Sequence, residues 1–318
     1  MTPPYIKLYK DGILEKRIKS AYKLLENCSL CPRKCGVNRL KDQKGTCQTG
    51  LKAHVSSFFL HQGEEPPISG EDGSGTIFFT YCNLKCAYCQ NYKLSQLGEG
   101  REVDETELAD FMIQLQKQGA HNINFVTPTH VMPQILKALS IAAKSGLKIP
   151  LVYNTGGYEE VSVLKLLSGI VDVYLADMRY SNNEMSRKYS QAQNYPLFNQ
   201  KAVIEMYKQV GNAKINSCGV IEKGLIIRHL VLPNNISGTK DILPFIKDKI
   251  SPQCYISLMS QYCPYHKAGN YPQINRRVTL EEYQEAIDLM DKLSLSSGWI
   301  QESRGLIRFA GENIKPNI

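Results

Sequence analysis

Three cysteines on one short turn, Cys82, Cys86 and Cys89, follow directly on the apolar run Thr76 to Tyr81, and no other feature constrains this chain as tightly. Thiolates are soft, anionic ligands suited to iron–sulfur clusters or to zinc. Three of them on one loop can hold three irons of a cubane and leave the fourth open to an outside ligand, as a catalytic metal site requires. A zinc knuckle wants a fourth protein ligand nearby; no His follows Cys89 closely, so His61 or a distant cysteine would have to serve. A second group, Cys28-x2-Cys31-x3-Cys35-x11-Cys47, offers four thiols. These suffice for one closed structural zinc site or one auxiliary, fully ligated and electron-relaying cluster. Metal at such a site contributes folding free energy to a segment poor in helix. The bland alternative is four buried cysteines without a ligand.

Ten cysteines are many for a reducing compartment unless some bind metal. Disulfides would need a secreted chain, but Met1 to Lys10 has charge without an apolar stretch or a small-residue cleavage site. No run approaches the roughly 20 apolar residues of a membrane span. Ile135 to Val152 is broken by Lys137, Lys144 and Lys148. The expectation is a cytoplasmic protein with no membrane contact. The net charge of +8 would help dock an acidic partner, or is simply spread over solvated helix faces. No Lys/Arg block carries interleaved aromatics, which argues against nucleic acid.

Hydrophobic periodicity orders the rest. A helix is expected over Lys7 to Asn27, then a loop-rich stretch over residues 28–75 with little periodicity. Strands follow at Thr76 to Tyr81, Asn122 to Thr127, Ile149 to Asn154, Val171 to Asp177, Leu225 to Leu232 and Cys254 to Met259. Helices alternate with them at Asp104 to Gln118, Val131 to Lys144, Tyr158 to Leu167, between Asn182 and Val210, from Thr239, and at Leu280 to Leu293. Alternation of this kind predicts an α/β fold with a parallel sheet and right-handed crossovers. An open, partial (βα)6 barrel of the TIM type is expected over residues 76–318, after an N-terminal helix and cysteine-rich metal module over residues 1–75. In such barrels the chemistry lies at the C-terminal ends of the strands. Cys82, Thr127, Asn154, Thr155 and Asp177 all fall there.

The loop Cys82-Asn83-Leu84-Lys85-Cys86-Ala87-Tyr88-Cys89 resembles the signature of the radical S-adenosylmethionine (SAM) superfamily, including the aromatic residue before the third cysteine. Gly63-Glu64-Glu65-Pro66-Pro67, Gly73-Ser74-Gly75-Thr76-Ile77-Phe78-Phe79, Gln90-Asn91-Tyr92, Val126-Thr127-Pro128-Thr129-His130 and Gln261-Tyr262 extend the likeness. They resemble the branch similar to pyruvate formate-lyase-activating enzyme, the PflX type, over roughly residues 28–302. The resemblance implies a [4Fe-4S] cluster on Cys82, Cys86 and Cys89, and SAM chelating the open iron. One electron then cleaves the sulfonium to methionine and a 5′-deoxyadenosyl radical. Tyr88 would lie against the adenine. An electron donor such as flavodoxin or ferredoxin and a protein substrate, a glycyl-radical enzyme in the activases, are implied partners.

Further site residues carry over one at a time. Activases of this type have an Asp-Thr pair after the third strand and Asp-x-Lys after the fourth, binding a monovalent cation. Here stand Asn154-Thr155 and Asp177-Met178-Arg179, which removes one charge and changes a donor's geometry. Arg228, on a strand resembling the family's Arg-aromatic-x-Val-x-Pro, is implied to reach the cosubstrate carboxylate. A charge inside an apolar strand points at an anion rather than into the core. His266 in Pro264-Tyr265-His266 resembles a histidine that touches the ribose. Where many members carry Gly-Gly-Glu-Pro to hold the amino group, this chain has Thr127, Thr129 and His130. Hydrogen abstraction from a protein glycine, radical modification of another protein or small molecule, and a non-enzymatic zinc protein that binds partners through the Cys28 module are the competing readings.

Overall fold

The structure is a computed structural model and describes residues 2–301; the expected core domain's last residues lie outside them. Among the described residues ten strands form one sheet: β1 (Ala53–His61), β2 (Ser74–Phe79), β3 (Arg101–Val103), β4 (Ile123–Val126), β5 (Leu151–Thr155), β6 (Val173–Asp177), β7 (Lys214–Ile215), β8 (Ile221–Leu230), β9 (Tyr255–Met259) and β10 (Gly298–Ile300). Their order is β10-β9-β8-β6-β5-β4-β2-β1-β3, with β7 on β8. From β2 to β10 the pairs are parallel, while β1 runs antiparallel between β2 and β3. The path does not close, as expected of a partial barrel.

Successive side chains of a strand face opposite sides, and the sequence uses both. Ile77, Phe79, Ile123, Phe125, Tyr153, Tyr174, Ile227 and Leu258 point outward into the core shared with the helices. Val152, Val173, Leu175 and Ile226 point inward. The helices follow the strands as expected. Glu105–Lys117 begins where the Asp104 carboxylate accepts from the N–H groups of Thr106 and Glu107, each at 2.9 Å. No described helix is long and apolar enough to cross a membrane.

Several boundaries differ from expectation. The N-terminal helix is two, Pro4–Lys10 and Ile13–Lys23, broken where Gly12 takes φ 68°. The helix expected from Tyr158 begins only at Val161 and tightens into a 3₁₀ turn at Lys165–Leu167. Strand β1 was hidden because Ala53–His61 is mostly half-buried and its pairing slips between Val55 and Ser57, so no clean alternation shows. Thus part of the stretch expected to be loop joins the sheet.

Between β1 and β2 the chain dips under the barrel. The short helix Pro66–Ser69 inserts Ile68, fully buried, among Val152, Val173, Leu175, Ile221 and Ile226, and Asn122 Nδ2 donates to its carbonyl at 2.8 Å. This plug also carries two carboxylates inside. Arg228, inward on β8, donates from Nε to Glu65 Oε1 (2.6 Å) and from Nη2 to Glu65 Oε2 (2.7 Å). Its Nη2 also reaches Glu64, and Nη1 donates to Asn154 Oδ1 at 3.3 Å. Glu64 further accepts from Asn124 Nδ2 at 3.0 Å. Burial alone would raise the Glu64 carboxyl, but the Arg228 guanidinium and the His61 ring hold it down at about 2.

Two outcomes follow for stability. Ile68→Ala should cost about 2–5 kcal/mol, because the plug leaves a cavity the rigid strands cannot close; an unchanged urea midpoint would show that Ile68 does not seal the barrel. Arg228→Met should cost about 3–5 kcal/mol by stranding two buried carboxylates. Adding Glu64→Gln and Glu65→Gln to that chain should recover most of the loss. Additive losses in the same denaturation series would break the assignment.

Candidate functional site

The turn after β2 opens with Tyr81 at φ 69° and leads into Cys82. Cys82, Cys86 and Cys89 line one cavity of about 180 Å³ at the C-terminal ends of the strands. The loop is held from outside. Lys85 N–H donates to Ser190 O (3.0 Å) and Ala87 N–H to Tyr189 O (2.7 Å). Gly156, after β5, lets it come close: a Cβ there would stand 2.8 Å from Leu84 Cδ1.

Each thiol has a neighbour suited to a bound thiolate. The Leu84 N–H donates to Cys82 Sγ (3.3 Å) and the Ser190 hydroxyl to Cys86 Sγ (3.0 Å); Cys89 Sγ and the Ser95 hydroxyl are 3.2 Å apart. Arg179 Nη1 lies 3.7 Å from Cys86 Sγ while its Nη2 donates to Asp177 Oδ2. Burial pushes the Cys82 thiol up to about 12 and the Cys89 thiol upward, a cost that a coordinated cation removes. Hydrogen bonds to sulfur and a nearby cation are the usual environment of a ligated cluster. The residues present fit one.

Most of the expected site residues meet here. Tyr88, Thr127, Asn154, Asp177 and Arg228 line the same cavity. Tyr88 is buried; its hydroxyl is 2.8 Å from that of Tyr180, and its ring meets Tyr262 edge-on at 5.4 Å. Thr127 sits at φ 62°, with its N–H donating to Asn154 O at 2.9 Å. Arg228 is on the wall, where Glu64, Glu65 and Asn154 accept from its guanidinium.

Four residues go elsewhere. Thr155 is on the other face of β5, and its hydroxyl donates to Glu159 Oε1 at 2.5 Å, as does that of Thr129 at 2.6 Å. Burial raises the Glu159 carboxyl to about 7, against those two hydrogen bonds. His266 stacks on Tyr92 (4.8 Å) at φ 52°, and its neighbour Tyr265 lines the cavity instead. His130 turns away from the cavity, its Nε2 2.9 Å from Thr80 O; burial drives the ring down to about 3, so it is neutral and unsuited to proton exchange. Arg179, Ser190 and Cys263 were not foreseen. Arg179 stood in view two residues after Asp177, whereas Ser190 and Cys263 have no sequence signal tying them to the loop.

Cys28, Cys31, Cys35 and Cys47 line a second cavity together with Arg33, Arg39, Asn83 and His130. The two cavities share the loop: Cys82 faces one and Asn83 the other. Arg33 Nε donates to Asn83 O at 2.6 Å, fixing the module to the loop. Among the described residues no three His, Cys, Asp or Glu side chains gather around a single ion's position.

The comparisons agree with this geometry. The family model of the radical SAM superfamily matches residues 76–223. An uncharacterised protein of Methanocaldococcus jannaschii is 34% identical over 296 residues, covering 90% of this chain and 80% of the relative. Among solved structures, the FeFe-hydrogenase maturase HydG from Carboxydothermus hydrogenoformans is similar at a TM-score of 0.50 with 13% identity, over 98% of this chain and 74% of that one. A radical SAM methyltransferase from Sphaerobacter thermophilus is similar at 0.49 with 11% identity, over 73% and 67%. At 13% identity the maturase structure speaks for the fold alone. The turn of three thiols, the open parallel barrel behind it and the matching family model together place the chain in the radical S-adenosylmethionine superfamily.

Proposed function

We propose that the cavity binds SAM beside a [4Fe-4S] cluster held by Cys82, Cys86 and Cys89, and that the enzyme uses the product radical to abstract a hydrogen atom from a protein substrate. The observation that carries this is the convergence of those three thiols with Tyr88, Thr127, Asn154 and Asp177 on one cavity. When bound, the cluster and its cosubstrate supply one electron and a 5′-deoxyadenosyl radical. The chain's own residues bind and orient. Tyr88 offers a buried aromatic edge for the adenine. Asn154 and the backbone at Thr127 offer polar contacts for the amino-acid end, in place of the missing Gly-Gly-Glu-Pro. Asp177 is paired with Arg179, so its charge answers the guanidinium that reaches Cys86 rather than a monovalent cation. Arg228 acts as a positioning residue that sets Asn154 from below.

The substrate proposed first is a backbone glycine of a glycyl-radical enzyme, with a flavodoxin- or ferredoxin-type donor, on the likeness of the cluster loop to the activases. A different protein or small molecule is the second reading. It is favoured by the way Thr129 and His130 turn from the cavity, so this wall is not built as in an activase. A non-enzymatic zinc protein is set aside by superfamily membership. Residues 1–75 are read as a metal-bearing module ahead of the 76–318 core, with Cys28, Cys31, Cys35 and Cys47 as ligands.

Anaerobically reduced protein should release 5′-deoxyadenosine from SAM. Cys86→Ala should abolish that product, and continued cleavage by the variant would refute the assignment. Arg179→Gln, which keeps all three thiols, should slow cleavage about 10–100-fold through the altered surroundings of Cys86; an unchanged rate would remove Arg179 from the site.

A further inference from the structure

Buried cations without anions mark the second cavity. Arg39 is 1% exposed; its Nε and Nη1 donate to Gly50 O (3.0 Å) and His130 O (2.7 Å), and its Nη2 has no partner. Arg33 Nη2 and His130 Nδ1 are likewise buried and unpartnered. All three residues line the cavity with the four thiols. A guanidinium enclosed with only carbonyl oxygens for company is costly until an anion answers it. Four thiolates around iron and sulfide are such an anion, and its sulfur atoms would accept the remaining guanidinium N–H groups of Arg33 and Arg39.

The position of the cavity supplies the rest. The loop cavity is where cosubstrate and substrate enter, so an electron reaching the loop needs another side. Asn83 belongs to the wall between the two cavities, and Arg33 is bonded to its carbonyl. Cys31 and Cys35 are only partly buried, so the outer edge of the second cavity approaches the surface. Lys34, Lys41, Lys44 and Lys52 are exposed on this segment, with Asp42 alone against them within residues 28–52. Redox-inert zinc would have no use for this placement.

We infer that Cys28, Cys31, Cys35 and Cys47 hold an iron–sulfur cluster rather than zinc, and that this cluster is where electrons enter. An acidic, low-potential one-electron carrier protein docks at the lysine-rich face and is oxidised by one electron; the N-terminal cluster is reduced, then reoxidised as it reduces the loop cluster across Asn83. No covalent bond forms or breaks in the relay. The inference rests on the proposed role of the loop, and the experiment separates the two.

Full-length Cys82→Ala/Cys86→Ala/Cys89→Ala protein, purified without air, should retain iron, acid-labile sulfide and a reducible paramagnetic signal. Zinc, or no metal, in that chain while the unaltered chain holds iron would overturn the inference and leave the loop assignment standing. Cys31→Ser/Cys47→Ser protein should keep its loop iron and its 5′-deoxyadenosine yield with dithionite, but lose at least about tenfold with reduced flavodoxin as donor. Iron missing from that variant, with iron retained in the loop-stripped chain, would overturn the loop assignment and the relay with it. Arg33→Gln preserves every thiol and guards against misfolding of the cysteine variants. In the loop-stripped chain it should move the midpoint potential to more negative values, and an unmoved potential would show that the orphaned guanidinium does not face a redox centre.

Discussion

A guanidinium inside a barrel has to be answered, and the answer given to Arg228 organises the molecule. Its partners come from Glu64 and Glu65, far away in sequence, on the segment that dips beneath the strands. Ile68 seals the bottom with apolar contacts, and the two carboxylates then form a charged layer above it. A buried ion set of this kind adds little net stability compared with an apolar core, but it tolerates few alternative arrangements. It therefore fixes where β8 stands relative to the plug, and through Asn154 it sets one wall of the cavity above. Strand register, plug and site are coupled through one side chain.

The chemistry of the site was legible before the fold was. Thiol spacing on a short turn depends on nothing but local chain geometry, so Cys82, Cys86 and Cys89 could be grouped from sequence alone. The parallel strands were legible for a similar reason, since apolar runs alternating with amphipathic helices have few other solutions. What escaped was non-local. The sequence showed that Arg228 needs an anion but not that Glu64 and Glu65 occupy it, because a resemblance supplied a ready alternative. The likeness to an Asp-Thr pair puts Asn154 and Thr155 together at the site, yet neighbours on a strand face opposite sides, and Glu159 claims the Thr155 hydroxyl. His130 was read as a polar group near the site, whereas its ring faces the N-terminal module. Strand β1 and the edge strands β3 and β10 are too short or too uneven to show a period.

The thiol-bearing loop also has two sides, and the chain invests in both. Facing the barrel, Ser190, Ser95 and Arg179 surround the three cysteines with donors. Facing outward, Asn83 touches a cavity with four more thiols and cations of its own. Cationic donors beside an iron–sulfur centre stabilise its more negative, reduced state and so raise its potential. The side packed by the N-terminal module suits arrival of the electron, and the side open to the strand ends suits its use. That division explains why residues 28–52 are bonded to the backbone of the loop itself and not merely to the outside of the barrel. A module that only stabilised the fold could pack anywhere on the helical layer. One that serves the loop has to touch it, and Arg33 on Asn83 is where it does.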